Sequence, residues 1–354
     1  MKLKVVIKDV YHSVQKKINV ITLISKAESI VKKPSYFPEK SLKSDNIMLE
    51  ENKKWIKKYG ELNEFYKLYR FDLTDKNNME DYIDYLSFMN SRNIANNIGK
   101  LNCHVCLLRD KFLFYKYMKS NNLPVPEVFG IISNGKLLDT AHQEMNMDSL
   151  YDKKNFFVKD IDGECASFVK RCKDYSELKE IFKSISNNKE SYILQESVIQ
   201  AKDMDVINPN AINTLRIVTI NKDGNPYVLS ALLRVGTSKT GNVDNWAAGG
   251  LAIGINKEGY LKKYGFYKPI HGTKDSIHPD TKIVFSKYKV PQLDEAYKLV
   301  IKAHKSFYGI RAIGWDIAIT DKGPVFIEGN DNFEISLMQA CDRPLRKEWE
   351  EAMF

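Results

Sequence analysis

Opposed carboxylates are costly unless something positive sits between them, and one stretch of this 354-residue chain sets up such a pair. Residues 314–332 read Gly-Trp-Asp-Ile-Ala-Ile-Thr-Asp-Lys-Gly-Pro-Val-Phe-Ile-Glu-Gly-Asn-Asp-Asn. Ile317, Ile319, Val325 and Ile327 favour strands, and Asp321-Lys322-Gly323 supplies turn chemistry. Pro324 is tolerable at a strand start. With Lys322 at the centre of the turn, Asp316 and Glu328 lie at equal distances from it and face each other across a β-hairpin. Asn330, two residues beyond Glu328, points to the same face, because side chains alternate along a strand. Two carboxylates and an amide oxygen are hard donors that suit Mg2+ better than zinc. This geometry depends on register, since a bulge would turn one side chain over. The alternative is an edge hairpin with solvated charges, which accounts for the turn but not for the shared face.

Other residues upstream suit the same chemistry. Phe156-Phe157-Val158-Lys159 is a predicted strand ending in a lysine, followed by a turn at Asp162-Gly163 and a returning strand over Ala166 to Val169. An ammonium beside loop N–H groups suits phosphate oxygens, although a lysine bordering a turn is usually just solvated. The predicted strand from Ser191 ends in Gln195-Glu196 and runs out through Ser197-Val198-Ile199. Such a segment can offer backbone N–H and C=O groups to a purine edge, or can be an ordinary strand end. Arg216 lies inside the apolar run Asn213-Thr214-Leu215-Arg216-Ile217-Val218-Thr219, where a permanently charged guanidinium must find a partner. Arg234 ends the next strand. Cys103-His104-Val105-Cys106 has the spacing of half a zinc site, but no second Cys/His pair exists, so these read as free thiols.

The elements that must position these groups are legible from about residue 105 onward. A helix over Leu107 to Asn121, with Asp110 as a cap, precedes Leu123-Pro124-Val125-Pro126 and a strand at Val128 to Ile132. A helix over Tyr175 to Ser186 precedes the Gln195 strand. Strands over Leu215 to Ile220 and Tyr227 to Leu233 flank a turn at Asn221 to Asn225, and a further pair turns at Lys257-Glu258-Gly259. A helix to about Phe307 leads into the hairpin, and another from about Pro344 closes the chain. Residues 1–100 carry helical spacing over Asp45 to Tyr69 and Asp81 to Met89, with breaks at Pro34 and Pro38, and Lys2 to Ile7 as a short strand or helix start. They read as a mainly helical accessory region.

Composition bounds the function classes. The chain is 43% hydrophobic and 28% charged, an ordinary globular balance with room for two or three subdomains. The net charge of +9 comes from scattered lysines without a dense basic block, so a solvated surface is favoured over a nucleic-acid footprint. No apolar run approaches the roughly 20 residues that span a bilayer. The N-terminal apolar stretches are interrupted by Asp9, His12 and Lys16, unlike a signal peptide. Five cysteines make no disulfide framework, which fits a reducing cytoplasm.

Taken in order, these pieces resemble the ATP-grasp superfamily, and most closely its sugar-transfer-associated, polysaccharide-linked branch. The resemblance rests on the Asp110-Lys111 helix with downstream Pro124 and Pro126, the Lys159 strand with its glycine turn, Gln195-Glu196, Asn213-Thr214-Leu215-Arg216, Gly314-Trp315-Asp316 and Glu328-Gly329-Asn330. Each motif is weak alone; their collinearity is specific. It implies an α+β fold in which two α+β subdomains, residues 101–200 and 201–354, grip ATP between antiparallel sheets, with 1–100 as the helical N-terminal region. It implies that Lys111 and Lys159 contact ATP phosphates and that Gln195, Glu196 and Val198 line the adenine hinge. Asn213, Arg216 and Arg234 would form the catalytic set near the transferred phosphate, and Asp316, Glu328 and Asn330 would bind one or two Mg2+ ions. The implied reaction phosphorylates a carboxylate, and an amine then attacks the acyl-phosphate to give an amide. The partners are a small-molecule or glycan-linked acid and an amine in surface-polymer synthesis. An ATP-grasp phosphotransferase and a non-catalytic nucleotide-binding accessory protein are the alternatives. The chain departs from the pattern at Asp162-Gly163-Glu164, a short acidic loop where glycines are usual, and at Asp331-Asn332-Phe333, where a proline-containing stretch is usual.

Overall fold

Turns that fix register and apolar residues that fill both faces build two antiparallel sheets in this chain. The computed structural model describes residues 20–75, 78–101, 103–162, 168–240, 244 and 246–353. The smaller sheet contains β1 (Val128–Ser133), β2 (Lys136–Leu138), β3 (Phe156–Asp160), β4 (Val169–Cys172) and β5 (Tyr192–Glu196), in the order β2-β1-β5-β3-β4. The larger contains β6 (Thr214–Lys222), β7 (Asn225–Val235), β8 (Leu251–Ile255), β9 (Leu261–Phe266), β10 (Lys274–Asp275), β11 (Ala312–Thr320) and β12 (Gly323–Asn330), in the order β10-β9-β8-β7-β6-β11-β12. The fold is α+β, with a helical N-terminal region, as the sequence predicts.

The two faces of the larger sheet have different covers. Leu215, Ile217, Ile313, Trp315, Ile317 and Ile319 point to one side, against Ala296, Val300 and Ala303 of the helix Leu293–Ser306. A buried relay ties this side together. The Trp315 Nε1–H donates to Thr219 Oγ1 at 2.7 Å, the Thr219 hydroxyl meets His304 Nδ1 at 2.6 Å, and His304 Nε2 meets the Ile310 carbonyl at 2.9 Å. On the opposite side, Val218, Ile220 and Leu232 pack with Ile30, Met48, Phe71 and Phe88 of the N-terminal region and with Trp349. The N-terminal helices Ala27–Val31, Asp45–Tyr59 and Tyr85–Ala95 therefore cover one part of this face, and the charged residues of β6, β7, β11 and β12 occupy another.

Local chemistry moves several predicted boundaries. The helix expected over Leu107 to Asn121 is two helices, Cys106–Arg109 and Lys111–Ser120, because Asp110 is extended and caps the second by accepting from the Phe112 and Leu113 N–H groups at 2.8 Å. The helix expected from Asp81 starts at Tyr85, after Asp84 accepts from the Ser87 N–H. A helix at Ser336–Cys341 has no counterpart in the sequence reading: every residue in it is buried, so it shows no amphipathic period. The strand returning from Lys159 is described from Val169, later than expected. The readings on Lys2 to Ile7 and on Gly163, Glu164, Ala166 and Ser167 lie outside the described residues.

The hairpin pairs Asp316 with Glu328, but by a different route from the one predicted. The loop is Asp321-Lys322 with Thr320 opposite Gly323, half a step away from a turn centred on Lys322. That register alone would set Asp316 against Ile327. A bulge between the pairs Ile317–Phe326 and Asp316–Glu328 takes up Ile327 and restores the facing acids.

Candidate active site

Three neighbouring strands bring a row of charges into register. Arg216 is the cross-strand partner of Asp316, and Asp316 is the partner of Glu328. Asn330 follows on the same face as Glu328, and its Nδ2 donates to Glu328 Oε1 at 3.1 Å. Arg216 grips Asp316 bidentately, Nε to Oδ1 at 2.5 Å and Nη2 to Oδ2 at 2.9 Å. Arg234 enters from β7 and donates to the same Oδ2 at 3.0 Å. It also donates to Thr214 Oγ1 at 2.9 Å and lies 3.5 Å from Asp244, whose carboxylate accepts from the Thr214 N–H and hydroxyl. Side-chain exposure is 1% for Asp316 and 15% for each arginine, so these are desolvated, charge-assisted contacts.

The electrostatics follow from this packing. Burial pushes the Asp316 carboxyl up, but Arg216 and Arg234 outweigh it and hold its pKa well below the usual carboxylate range. Glu328 goes the other way: burial and the neighbouring Asp316 raise its pKa, against a weaker pull from the arginines. Burial opposes charge on Arg234, yet Asp244, Asp316 and Glu328 together hold its pKa above the ordinary value. Burial also raises Asp244, with Arg234 pulling it down.

The smaller sheet faces this row with lysines. Lys159 Nζ donates to Gln195 Oε1 at 2.9 Å. Burial lowers its pKa to about 8, Glu328 across the cleft favours its charge and Lys111 opposes it. Lys111 sits at the start of its helix, where its backbone N–H donates to the Ile161 carbonyl at 2.9 Å. Burial lowers its pKa as well, offset first by Glu328. Glu328 therefore marks where the two sheets come together.

The remaining predicted residues are placed less centrally. Gln195 is buried, and its side chain meets Lys159. Glu196 is exposed at the end of β5; its N–H donates to the Glu127 carbonyl at 2.8 Å and its carboxylate accepts from the Glu127 N–H at 3.4 Å. Val198 is half-buried in the segment that connects the two sheets. Asn213 is fully buried, and its amide nitrogen donates to Gln200 Oε1 and to the Asn208 and Met204 carbonyls. No hydrogen bond joins its side chain to Arg216, Arg234 or Asp316, so the structure does not bring it to the cleft surface. Sequence reasoning missed Thr214 and Asp244, which hold Arg234. It also missed Arg109, which clamps Asp331 with bonds of 3.0 and 2.7 Å. These partners are 10, 20 and 222 residues apart in the chain, and no local pattern links them. The free thiols expected in the Cys103 to Cys106 segment are free, half-buried at Cys103 and exposed at Cys106.

Asp316, Glu328 and Asn330 fit a hard divalent cation. Glu328 is a half-buried carboxylate whose charge is only partly met by the arginines, and the Asn330 Nδ2 bond leaves that amide's oxygen available beside it. Among the described residues no group of three or more His, Cys, Asp or Glu residues gathers into an alternative metal site. No helix among them is long and apolar enough to cross a membrane.

Comparison with known proteins adds the family. No curated protein matches the chain at a significant level. Among solved structures, the chain is similar to D-alanine–D-alanine ligase from Bacillus anthracis, at 12% identity over 70% of this chain and 67% of that one, with a TM-score of 0.41. It is similar to L-amino acid ligase from Bacillus licheniformis at 16% identity over 69% and 48%, TM-score 0.38. It is also similar to a RimK domain ATP-grasp protein from Sphaerobacter thermophilus at 10% identity over 67% and 66%, TM-score 0.38. The chain thus spans about half to two thirds of the length of these structures, and likeness at this level assigns neither residue roles nor substrates. The family model described as sugar-transfer associated ATP-grasp matches residues 92–351. That match covers well over half of the chain, which therefore belongs to the sugar-transfer-associated ATP-grasp family.

Proposed function

We propose that this protein is an ATP-dependent carboxylate–amine ligase that makes an amide through an acyl-phosphate. The observation that carries this reading is the registered row Arg216–Asp316–Glu328, reinforced by Arg234 and faced by Lys159. Phosphoryl transfer needs positioning and charge neutralisation more than covalent help from the protein, and this row supplies both in a desolvated setting. Lys111 and Lys159 neutralise the nucleotide phosphates. The strand end at Gln195, Glu196 and Val198 borders the adenine. Arg216 and Arg234, held by Asp316 and Asp244, stabilise charge on the transferred phosphoryl group. Asn213 works at one remove, fixing the loop before Thr214. Asp316, Glu328 and Asn330 would hold Mg2+, which when bound supplies Lewis-acid neutralisation of phosphate oxygens.

The family description supports a sugar context for the acid, and the reading joins an amino acid or peptide to a sugar acid or glycan-linked acid in the cytoplasm during surface-polymer synthesis. The test is ADP release by the full chain with ATP, Mg2+ and a panel of acids and amines, with products read by mass spectrometry. Release that requires both an acid and an amine, with a condensation product, is expected. Release with a phosphorylated acceptor and no amine requirement would make it a phosphotransferase. No turnover with any pair would make it a nucleotide-binding accessory protein.

A further inference from the structure

The strand that carries Glu328 and Asn330 stops at Asn330, whose pairing with Gly314 is the last rung of the β11–β12 ladder. Beyond that rung, side chains hold the next three residues. Arg109 grips Asp331, Nε to Oδ1 at 3.0 Å and Nη2 to Oδ2 at 2.7 Å, and the Asp331 side chain is 4% exposed. Arg92 Nη2 donates to Asn332 Oδ1 at 2.7 Å, and Arg92 Nη1 donates to the Phe333 carbonyl at 2.6 Å. The Phe333 ring packs on Phe88 and Trp349 at centroid distances of 5.5 and 6.2 Å. It also covers Gly314, where an added Cβ would lie 2.7 Å from Phe333 Cβ.

The two arginines come from separate parts of the chain. Arg109 ends the helix Cys106–Arg109, two residues before Lys111. Leu108 beside it sits on the hairpin: a Cβ at Gly329 would lie 2.8 Å from Leu108 Cδ2 and 3.3 Å from Phe114 Cε2. The alternation of the strand therefore divides the segment. Glu328 and Asn330 bond to each other on the cleft face, while Gly329 and Asp331 meet the Leu108–Arg109 side. Arg92 is buried in the N-terminal helix Tyr85–Ala95, and Asn93 Oδ1 accepts from the same guanidinium at 3.0 and 3.3 Å.

We propose that Arg109 and Arg92 are positioning residues for the metal end of the site: by fixing residues 331–333 they set where Glu328 and Asn330 present their oxygens to Mg2+. This rests on the metal reading of Asp316, Glu328 and Asn330. A ladder that stops at Asn330 would by itself leave that amide free to turn about its own backbone. A bidentate guanidinium–carboxylate pair fixes direction as well as distance, and groups that orient metal ligands set metal affinity. Ion pairs of this kind are a weak source of stability; what this one adds is geometry. Through Arg92 the N-terminal region takes part in the site, and Arg109 links the metal loop to Lys111 across the single residue Asp110.

The test needs no turnover and uses the full chain. ADP affinity is measured by calorimetry twice, with excess Mn2+ in place of Mg2+ and with EDTA, and the ratio of the two affinities reports the metal contact. In the parent, Mn2+ should tighten ADP binding. In Arg109→Gln that gain should shrink roughly 10-fold, while ADP affinity in EDTA stays within about twofold and circular dichroism matches the parent. Arg109→Lys, which keeps the charge and loses the fork, should recover part of the gain. A smaller shrinkage is expected in Arg92→Lys. A ratio equal to the parent's in Arg109→Gln overturns the role, as does an equal loss of affinity with Mn2+ and with EDTA. A ratio equal to the parent's in Arg92→Lys removes Arg92 from it. If Arg109→Gln does not fold, Arg109→Lys decides: a reduced ratio supports the role and an unchanged one overturns it. A parent that binds ADP with no gain from Mn2+ fails the metal reading, and the positioning role falls with it.

Discussion

In the larger sheet, Arg216, Asp316 and Glu328 sit on adjacent strands at matched register, and Arg234 closes the cluster from a fourth strand held by Thr214 and Asp244. In the smaller sheet, Lys159 meets the neutral Gln195 side chain and the Phe157 ring, and Lys111 stands at a helix start by the Asp160 to Asp162 loop. One side is organised before any ligand arrives, because Arg216, Arg234, Asp316 and Asp244 balance one another within the fold. The other holds cations that burial makes costly and that an anionic ligand would relieve. The contrast assigns different consequences to mutations that look alike on paper, since each removes one charge.

The largest effect is expected at Asp316. Asp316→Ala takes the bidentate partner from the buried Arg216 guanidinium and leaves Arg234 with Asp244 as its remaining ion pair, a loss of about 3–5 kcal/mol of stability, together with loss of turnover. Chemical denaturation measures it, and a variant as stable as the parent would mean that the arginines are balanced by something else. Glu328→Gln sharpens the comparison, because Glu328 touches both sides. Metal-dependent ATP turnover should fall by roughly 10²-fold or more with the unfolding midpoint close to the parent's; undiminished turnover sinks the metal assignment.

A third effect belongs to the larger sheet's packed side. His304 is buried, and burial lowers its pKa to about 4 from 6.5, only partly offset by the Ile310 carbonyl. Between those values the unfolded chain binds the extra proton, so stability is complete above pH 6.5 and falls as pH drops toward 4, by about 3 kcal/mol. Denaturation at several pH values should show this limb and should show it flattened in His304→Gln; equal slopes would remove His304 as the cause. The smallest effect is expected in the smaller sheet. Lys159→Gln should weaken ADP binding by roughly 10-fold with no loss of stability, by calorimetry and thermal melting. A clear drop in stability would show that Lys159 is balanced in place like Arg216, and the contrast between the sheets would fail.

Much of the architecture was legible because its signals are local. Asp321-Lys322-Gly323 and Asp223-Gly224 announce their turns, the apolar runs of β6 and β11 announce strands, and the collinear motifs announce the family. The facing acids were legible only through two compensating features, a turn half a step off centre and a bulge at Ile327. The buried helix Ser336–Cys341 was not legible, since a helix buried on all sides, Ser336 and Gln339 included, has no amphipathic period to read. Asn213 looked like its neighbour Arg216 in sequence but is fully buried at the start of β6.

The sequence by itself determined which ionic residues exist, which strands carry them and that Glu328 and Asn330 share a face, because strand periodicity and turn chemistry act over a few residues, while the bulge at Ile327 brings Asp316 to that face. Only the tertiary structure decided that Asp316 answers two arginines, that Asp244 holds one of them, and that the N-terminal region packs on the larger sheet, with Phe65 stacked on Trp246. Those contacts join residues far apart in the chain, and burial, which sets their strength, is a property of the packed sheets rather than of any one segment.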